Sequence, residues 1–119
     1  MAKKAETVKH LPDGVTEEQL TKWKRVHGAD KVFPVRVTKD GKTYVGVFRK
    51  PDLSDMSAAA SVGQNNPVGS AELLYNSCKL AVDPQMDSDD EVKFGAMTGV
   101  GRMFRVLEAE VGEAFGSGQ

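Results

Sequence analysis

Lys31-Val-Phe-Pro-Val-Arg-Val-Thr38, Lys39-Asp-Gly-Lys42 and Thr43-Tyr-Val-Gly-Val-Phe-Arg-Lys50 decide the fold. The outer two segments are rich in β-branched and aromatic residues, and Asp40-Gly41 between them suits a two-residue type I′ turn, in which both positions need positive φ. That turn sets the register: Val37 opposes Tyr44, Val35 opposes Gly46 and Phe33 opposes Phe48. Phe33, Val35, Val37, Tyr44 and Phe48 then share one face, expected to be the core side. The other face alternates Val32, Pro34, Val45 and Val47 with Arg36, Thr38, Thr43 and Arg49, half apolar and half basic. Pro34 has no N–H to give and belongs on the outer edge of its strand. A lone two-stranded hairpin is marginal in water, so helices must cover at least the aromatic face.

The flanking sequence supplies them. Residues 1–10 are polar and aperiodic and read as a flexible arm, followed by a turn at Leu11-Pro-Asp-Gly14. Thr16 is placed to cap a helix, with Gln19 completing a capping box and Val15 and Leu20 in the staple positions. The helix begins at Glu17 and runs through Leu20, Trp23 and Val26 to Gly28, apolar on one side only. After Pro51 the pattern stays helical. Asp52 or Ser54 caps a helix over Leu53, Met56, Ala59 and Ala60, which Asn65-Asn-Pro67 ends. Ser70 caps the next, where Ala71, Leu74, Tyr75 and Cys78 form one apolar stripe that points Cys78 at the core. An acidic loop, Val82 to Asp90, leads to a capping box of Ser88 and Glu91. The final helix carries Val92, Ala96, Val100, Met103, Leu107 and Val111, and its Gly95, Gly99 and Gly101 mark close packing or a break. The expected fold class is α+β: an N-terminal helix, one antiparallel β-hairpin, then three helices packed on it. Residues 1–10 are an arm, 11–115 one domain and 116–119 a tail.

At 119 residues, with 39% hydrophobic and 28% charged side chains, the chain suits a single domain with an ordinary core. A net charge of −1 leaves no room for a function resting on bulk charge. Charge is nevertheless segregated: residues 1–50 carry 12 Lys or Arg against 6 Asp or Glu, and residues 51–119 carry 4 against 11. This polarity either helps the two halves pack or steers a partner of opposite sign. One cysteine excludes an internal disulfide and favours a reducing compartment. No apolar run follows the basic start and none approaches membrane-spanning length, so the expectation is a cytoplasmic protein.

The residues offer no catalytic constellation, no metal set and no cofactor motif. His10 lies in the arm and His27 near a helix C-terminus, where a histidine is ordinarily structural. Asp83, Asp87, Asp89, Asp90 and Glu91 lack the glycine of a calcium loop and read instead as favourable charge at a helix start. Gly99-Val-Gly101 follows no strand, and Phe104 stands where a dinucleotide fingerprint needs its third glycine. Nucleic acid is not expected, because Phe33, Tyr44 and Phe48 face the core and cannot stack on bases. No segment is basic and hydrophobic enough for membrane binding. The partner expected is protein. The candidate surface is Val45 and Val47, flanked by Arg36 and Arg49, together with Trp23 of the first helix, which suits an amphipathic or acidic polypeptide. Against this stands the alternative that the first helix folds back over the same face and makes Val45, Val47 and Trp23 core.

Five blocks carry a family resemblance over most of residues 11–111: Leu11-Pro-Asp-Gly-Val-Thr-Glu-Glu-Gln-Leu20 with Trp23-Lys24, Tyr44-Val-Gly-Val-Phe-Arg-Lys-Pro51, Asp52-Leu-Ser-Asp-Met-Ser-Ala-Ala-Ala60, Glu72-Leu-Leu-Tyr-Asn-Ser-Cys78 and Asp87-Ser-Asp-Asp-Glu91. Their order resembles that of small tail assembly chaperones of tailed bacteriophages: a hairpin leaving through Phe-Arg-Lys-Pro, an Ala-rich helix, a helix ending in Cys, an acidic loop and a last helix. The resemblance implies a non-catalytic protein of the host cell cytoplasm. Such a protein binds the tape-measure protein and recruits tail-tube subunits before leaving the particle, is often made in short and frameshifted long forms, and is compatible with a homo-oligomer. A permanent structural or adaptor subunit of the virion is the alternative. The family brings no catalytic motif and no residue-level binding signature to these positions.

Overall fold

A computed structural model describes residues 10–104 and 107–116. Apart from His10 and Gly116, the expected arm and tail lie outside the described residues. The hairpin forms as its sequence requires. Strands β1 (Val32–Lys39) and β2 (Lys42–Arg49) pair antiparallel, with Val37 opposite Tyr44, Val35 opposite Gly46 and Phe33 opposite Phe48. Asp40 and Gly41 turn the chain with φ of 51° and 81°, the two positive values a type I′ turn demands. Helix α1 (Glu17–His27) starts at the Thr16–Gln19 capping box and ends at Gly28, whose φ of 106° suits glycine.

Four more helices and a third strand follow. Helix α2 (Leu53–Gly63) is capped by Asp52, which accepts from the Asp55 N–H while Asp55 accepts from the Asp52 N–H. Helix α3 (Pro67–Cys78) starts earlier than expected: Asn66 is the cap, Pro67 takes the first helical position, and Ser70 lies inside the helix donating to the Ala59 carbonyl at 2.8 Å. Strand β3 (Lys79–Val82) then adds to β2, giving a three-stranded antiparallel sheet in the order β1-β2-β3 rather than a bare hairpin. Its four residues, Lys-Leu-Ala-Val, are too few to show a period, and pairing to β2 decides their conformation. Within the expected acidic loop lies a short helix, α4 (Pro84–Ser88). Helix α5 (Asp90–Gly101) is capped by Asp89, which accepts from the N–H groups of Glu91 and Val92, so Ser88 is not the cap.

The first sheet face carries the main core. Phe48 meets Tyr75 with ring centroids 5.3 Å apart, and Leu74, Cys78, Met86, Val92, Ala96, Met97 and Val100 close around them. Glycines set the fit. An added Cβ at Gly95 would lie 3.2 Å from Val37 Cγ1 and at Gly99 3.0 Å from Val35 Cγ1, so α5 approaches β1 closely enough that a larger residue there requires the valines to give by a few tenths of an ångström. At Gly46 the same atom would fall 2.6 Å from Phe48 Cε1 and 2.8 Å from Met86 Sδ. Lys39 fastens the hairpin tip to the start of α5 through Asp89 and Glu91, each at 2.8 Å.

Two core expectations need correction. Helix α5 stops at Gly101, so Leu107 and Val111 are exposed and belong to no helix; only Val92, Ala96, Val100 and half-buried Met103 of the expected stripe reach the core. Phe33 is also exposed. Helix α5 covers Val37 with Gly95 and Val35 with Gly99, and the next step along β1, over Phe33, would fall beyond the helix end. No helix among the described residues is long and apolar enough to cross a membrane.

Candidate binding cleft

The second sheet face acquires its cover from the N-terminal segment. Gly14, with φ of 82°, turns the chain ahead of α1, and the Val15 N–H donates to the Pro12 carbonyl at 3.2 Å. Asp83 pins this turn to the sheet. It is fully buried, accepting from the Asp13 N–H at 2.7 Å with Oδ1 and from the Val45 N–H at 2.9 Å with Oδ2, while its own N–H donates to the Val45 carbonyl. A buried carboxylate held by backbone donors is costly to break, so residues 12–15 are fixed where α1 leaves them. Helix α1 lies against β1 without burying any residue completely.

Between α1 and the sheet this leaves a cleft of about 290 Å³. Buried Val32 and Val47 form its floor, half-buried Leu11 and Leu20 its helix-side wall, and exposed Phe33 and Pro34 its lip on the sheet edge. The rim holds two cations, Lys24 and Arg36, against one acid, Glu17, with Arg36 Nη2 donating to His10 Nδ1 at 3.4 Å. A second hollow, lined by Val26, His27, Lys31, Arg49, Lys50 and Asp52, lies past the end of α1. The cleft can exclude water from an apolar side chain while placing two cations on its rim.

Only part of the expected surface is brought together here. Arg36 stands on the rim. Val47 is reached only as the floor, 1% exposed, and Val45 is fully buried with its backbone bound to Asp83, so the two valines do not form an open strip. The cause is α1 and the 11–15 turn covering the face, the alternative already open in the sequence. Arg49 is committed elsewhere, donating to Asp55 at 2.7 and 3.2 Å and to the Ser77 carbonyl at 3.0 Å, so it ties β2 to α2 and α3. Trp23 is half-buried on α1 and does not line the cleft. Sequence reasoning missed Leu11, Leu20, Val32, Phe33, Pro34 and His10 as neighbours. The one signal was that α1 and the second sheet face each had an apolar side in need of cover.

Other chemistry-bearing groups serve the fold. Burial pushes the Cys78 thiol up to about 11, where it is neither nucleophilic nor metal-seeking at neutral pH. The Arg49 hydrogen bond holds the Asp55 carboxyl down to about 2. Burial and the bond to Asp87 raise the Tyr75 phenol, which donates to Asp87 at 2.7 Å between the ammonium groups of Lys79 and Lys93. Among the described residues no group of three or more His, Cys, Asp or Glu side chains is placed to hold a metal ion. Compared with known proteins, the chain matches no family model, no curated protein and no solved structure.

Proposed function

We propose that this protein is a non-catalytic polypeptide-binding protein, a tail assembly chaperone of a tailed bacteriophage that binds the tape-measure protein and recruits tail-tube subunits. The observation that carries the binding reading is the α1–β1 cleft: an apolar floor and walls within a rim that bears Lys24 and Arg36 against Glu17. Such a site suits a segment that presents one or two large apolar side chains flanked by acids, since desolvation supplies affinity and the cations orient the ligand and speed its approach. The sequence resemblance supplies the identity of the partner. A small domain with an accessible cleft is suited to shield such segments of a long unassembled polypeptide one by one.

The test is co-expression with a tape-measure protein from the same genome, followed by capture on the tagged chain. Wild type is expected to retain the tape-measure protein in the soluble fraction, and a Lys24→Glu, Arg36→Glu variant with an unchanged unfolding transition is expected to lose at least tenfold in capture. Equal capture by that variant removes the cleft from the account. Mass spectrometry of purified particles then decides the role: absence of the chain supports a chaperone, and stoichiometric presence makes it a permanent structural or adaptor subunit.

A further inference from the structure

Residues 107–116 lie outside helix and strand and leave Leu107, Val111 and Phe115 exposed by 72%, 91% and 106%. Three large apolar groups in nine residues are unusual on a finished surface. Placed on a helix, Leu107, Val111, Ala114 and Phe115 fall at i, i+4, i+7 and i+8, one stripe, with Glu108 and Glu110 flanking it and Glu113 on the opposite side. A helix of this length, about 13 Å, is marginal alone in water and forms only when its apolar side is covered.

We infer that this segment docks, as an amphipathic helix, in the α1–β1 cleft of a second copy of the chain. The inference rests on the reading of that cleft as a polypeptide-binding site, and it names an occupant. The chemistry is complementary on both counts: the segment offers an apolar stripe flanked by Glu108 and Glu110, and the cleft offers an apolar floor within a rim where Lys24 and Arg36 outnumber Glu17. The segment also starts close to the right place. Phe104 lines a hollow with Lys31, Lys50 and Pro51, and Val32, next in the chain to Lys31, forms part of the cleft floor. Phe104, three residues before the segment, is thus near one end of the cleft, and two copies about a twofold axis can exchange tails reciprocally, which closes the assembly at a dimer. The body of the single chain leaves the stripe uncovered, whereas exchange covers it. In the dimer each cleft is held by a segment of the same chemical class as its proposed partner, so a tape-measure segment has to displace it, and tail exchange regulates the site.

Sedimentation equilibrium of the full chain tests this. Wild type is expected to approach twice the 12.9 kDa chain mass in the micromolar range. A tail variant, Leu107→Asp with Val111→Asp and Phe115→Asp, and the cleft variant Lys24→Glu with Arg36→Glu are each expected to stay monomeric with unchanged unfolding transitions. Mixing the two variants restores one intact tail and one intact cleft, and dimer is expected to return in the mixture alone. A monomeric wild type at millimolar concentration, or a tail variant as dimeric as wild type, overturns the inference. So does a monomeric wild type that excludes a labelled peptide of residues 107–116 which the tail variant binds, because that places the segment in its own cleft. Failure here is distinguishable from failure of the functional reading: if the tail variant still captures the tape-measure protein and the cleft variant does not, the cleft stands and only its occupant is wrong.

Discussion

The two faces of the sheet are closed by different means. The first is sealed by α3, α4 and α5, with Phe48, Tyr75, Met86 and Val100 fully buried and three glycines allowing backbone and side chain to meet at van der Waals distance. The second is covered by one helix without a fully buried residue, anchored at its leading turn through the buried Asp83. Interdigitated packing leaves no room for a ligand, because any inserted group must displace a neighbour. A cover held by a tether at one end leaves a cleft under the rest of its length. The cleft is therefore a consequence of incomplete packing on one face of an otherwise ordinary core.

The largest effect expected tests whether the second face is nonetheless structural. Val45 and Val47 are 0% and 1% exposed, and a Val45→Asp, Val47→Asp double variant buries two unpaired carboxylates at several kcal/mol each, comparable to the whole stability of a small domain. Circular dichroism is expected to show loss of the cooperative transition, and a folded double variant would break the comparison. Next in size is the contrast between Phe48→Ala and Leu20→Ala. The first empties the sealed core and is expected to cost about 3–5 kcal/mol in urea unfolding, the second removes a half-buried side chain and is expected to cost about 1 kcal/mol. Equal costs would mean that α1 is packed as tightly as the other helices.

Gly46→Ala sharpens the account of the first face. Its Cβ would meet Phe48, Met86 and Val82 within 2.9 Å, and the overpacking is expected to cost about 1–3 kcal/mol. The smallest effect is electrostatic. The Arg49 hydrogen bond holds Asp55 at about 2, below its ordinary 3.8, so this pair stabilises the folded chain fully above the ordinary value, and that stability is lost as pH falls from 3.8 towards 2. In acid titrations followed by denaturant unfolding, Asp55→Asn is expected to flatten that part of the profile. An unchanged slope would remove the Arg49–Asp55 link from the account of how β2 is joined to α2.

Legibility followed how local the deciding interactions are. The hairpin register was readable because Asp40-Gly41 and the pairing of Phe33 with Phe48 select the same face within twenty residues. The α1 cap was readable for the same reason, since Thr16 and Gln19 complete it between themselves. Strand β3 was not, because Lys79–Val82 owes its extended form to a partner more than thirty residues away. Nor was the end of α5: the apolar spacing of Met103, Leu107 and Val111 continues past Gly101, and only the tertiary structure shows that the body ends there. The site suffered most. Arg36 was found, but the sequence left Val45 and Val47 between an open strip and a covered face, because their burial depends on Asp83 reaching back to Asp13, seventy positions earlier.

The most direct test of the cleft is an NMR titration of the ¹⁵N-labelled tail variant with an unlabelled peptide of residues 107–116. The account expects saturable amide shifts centred on Leu11, Leu20, Lys24, Val32 and Arg36, abolished by Lys24→Glu with Arg36→Glu. Shifts centred instead on Val68 and Phe94 at the exposed junction of α3 and α5, or none at millimolar peptide, would contradict it.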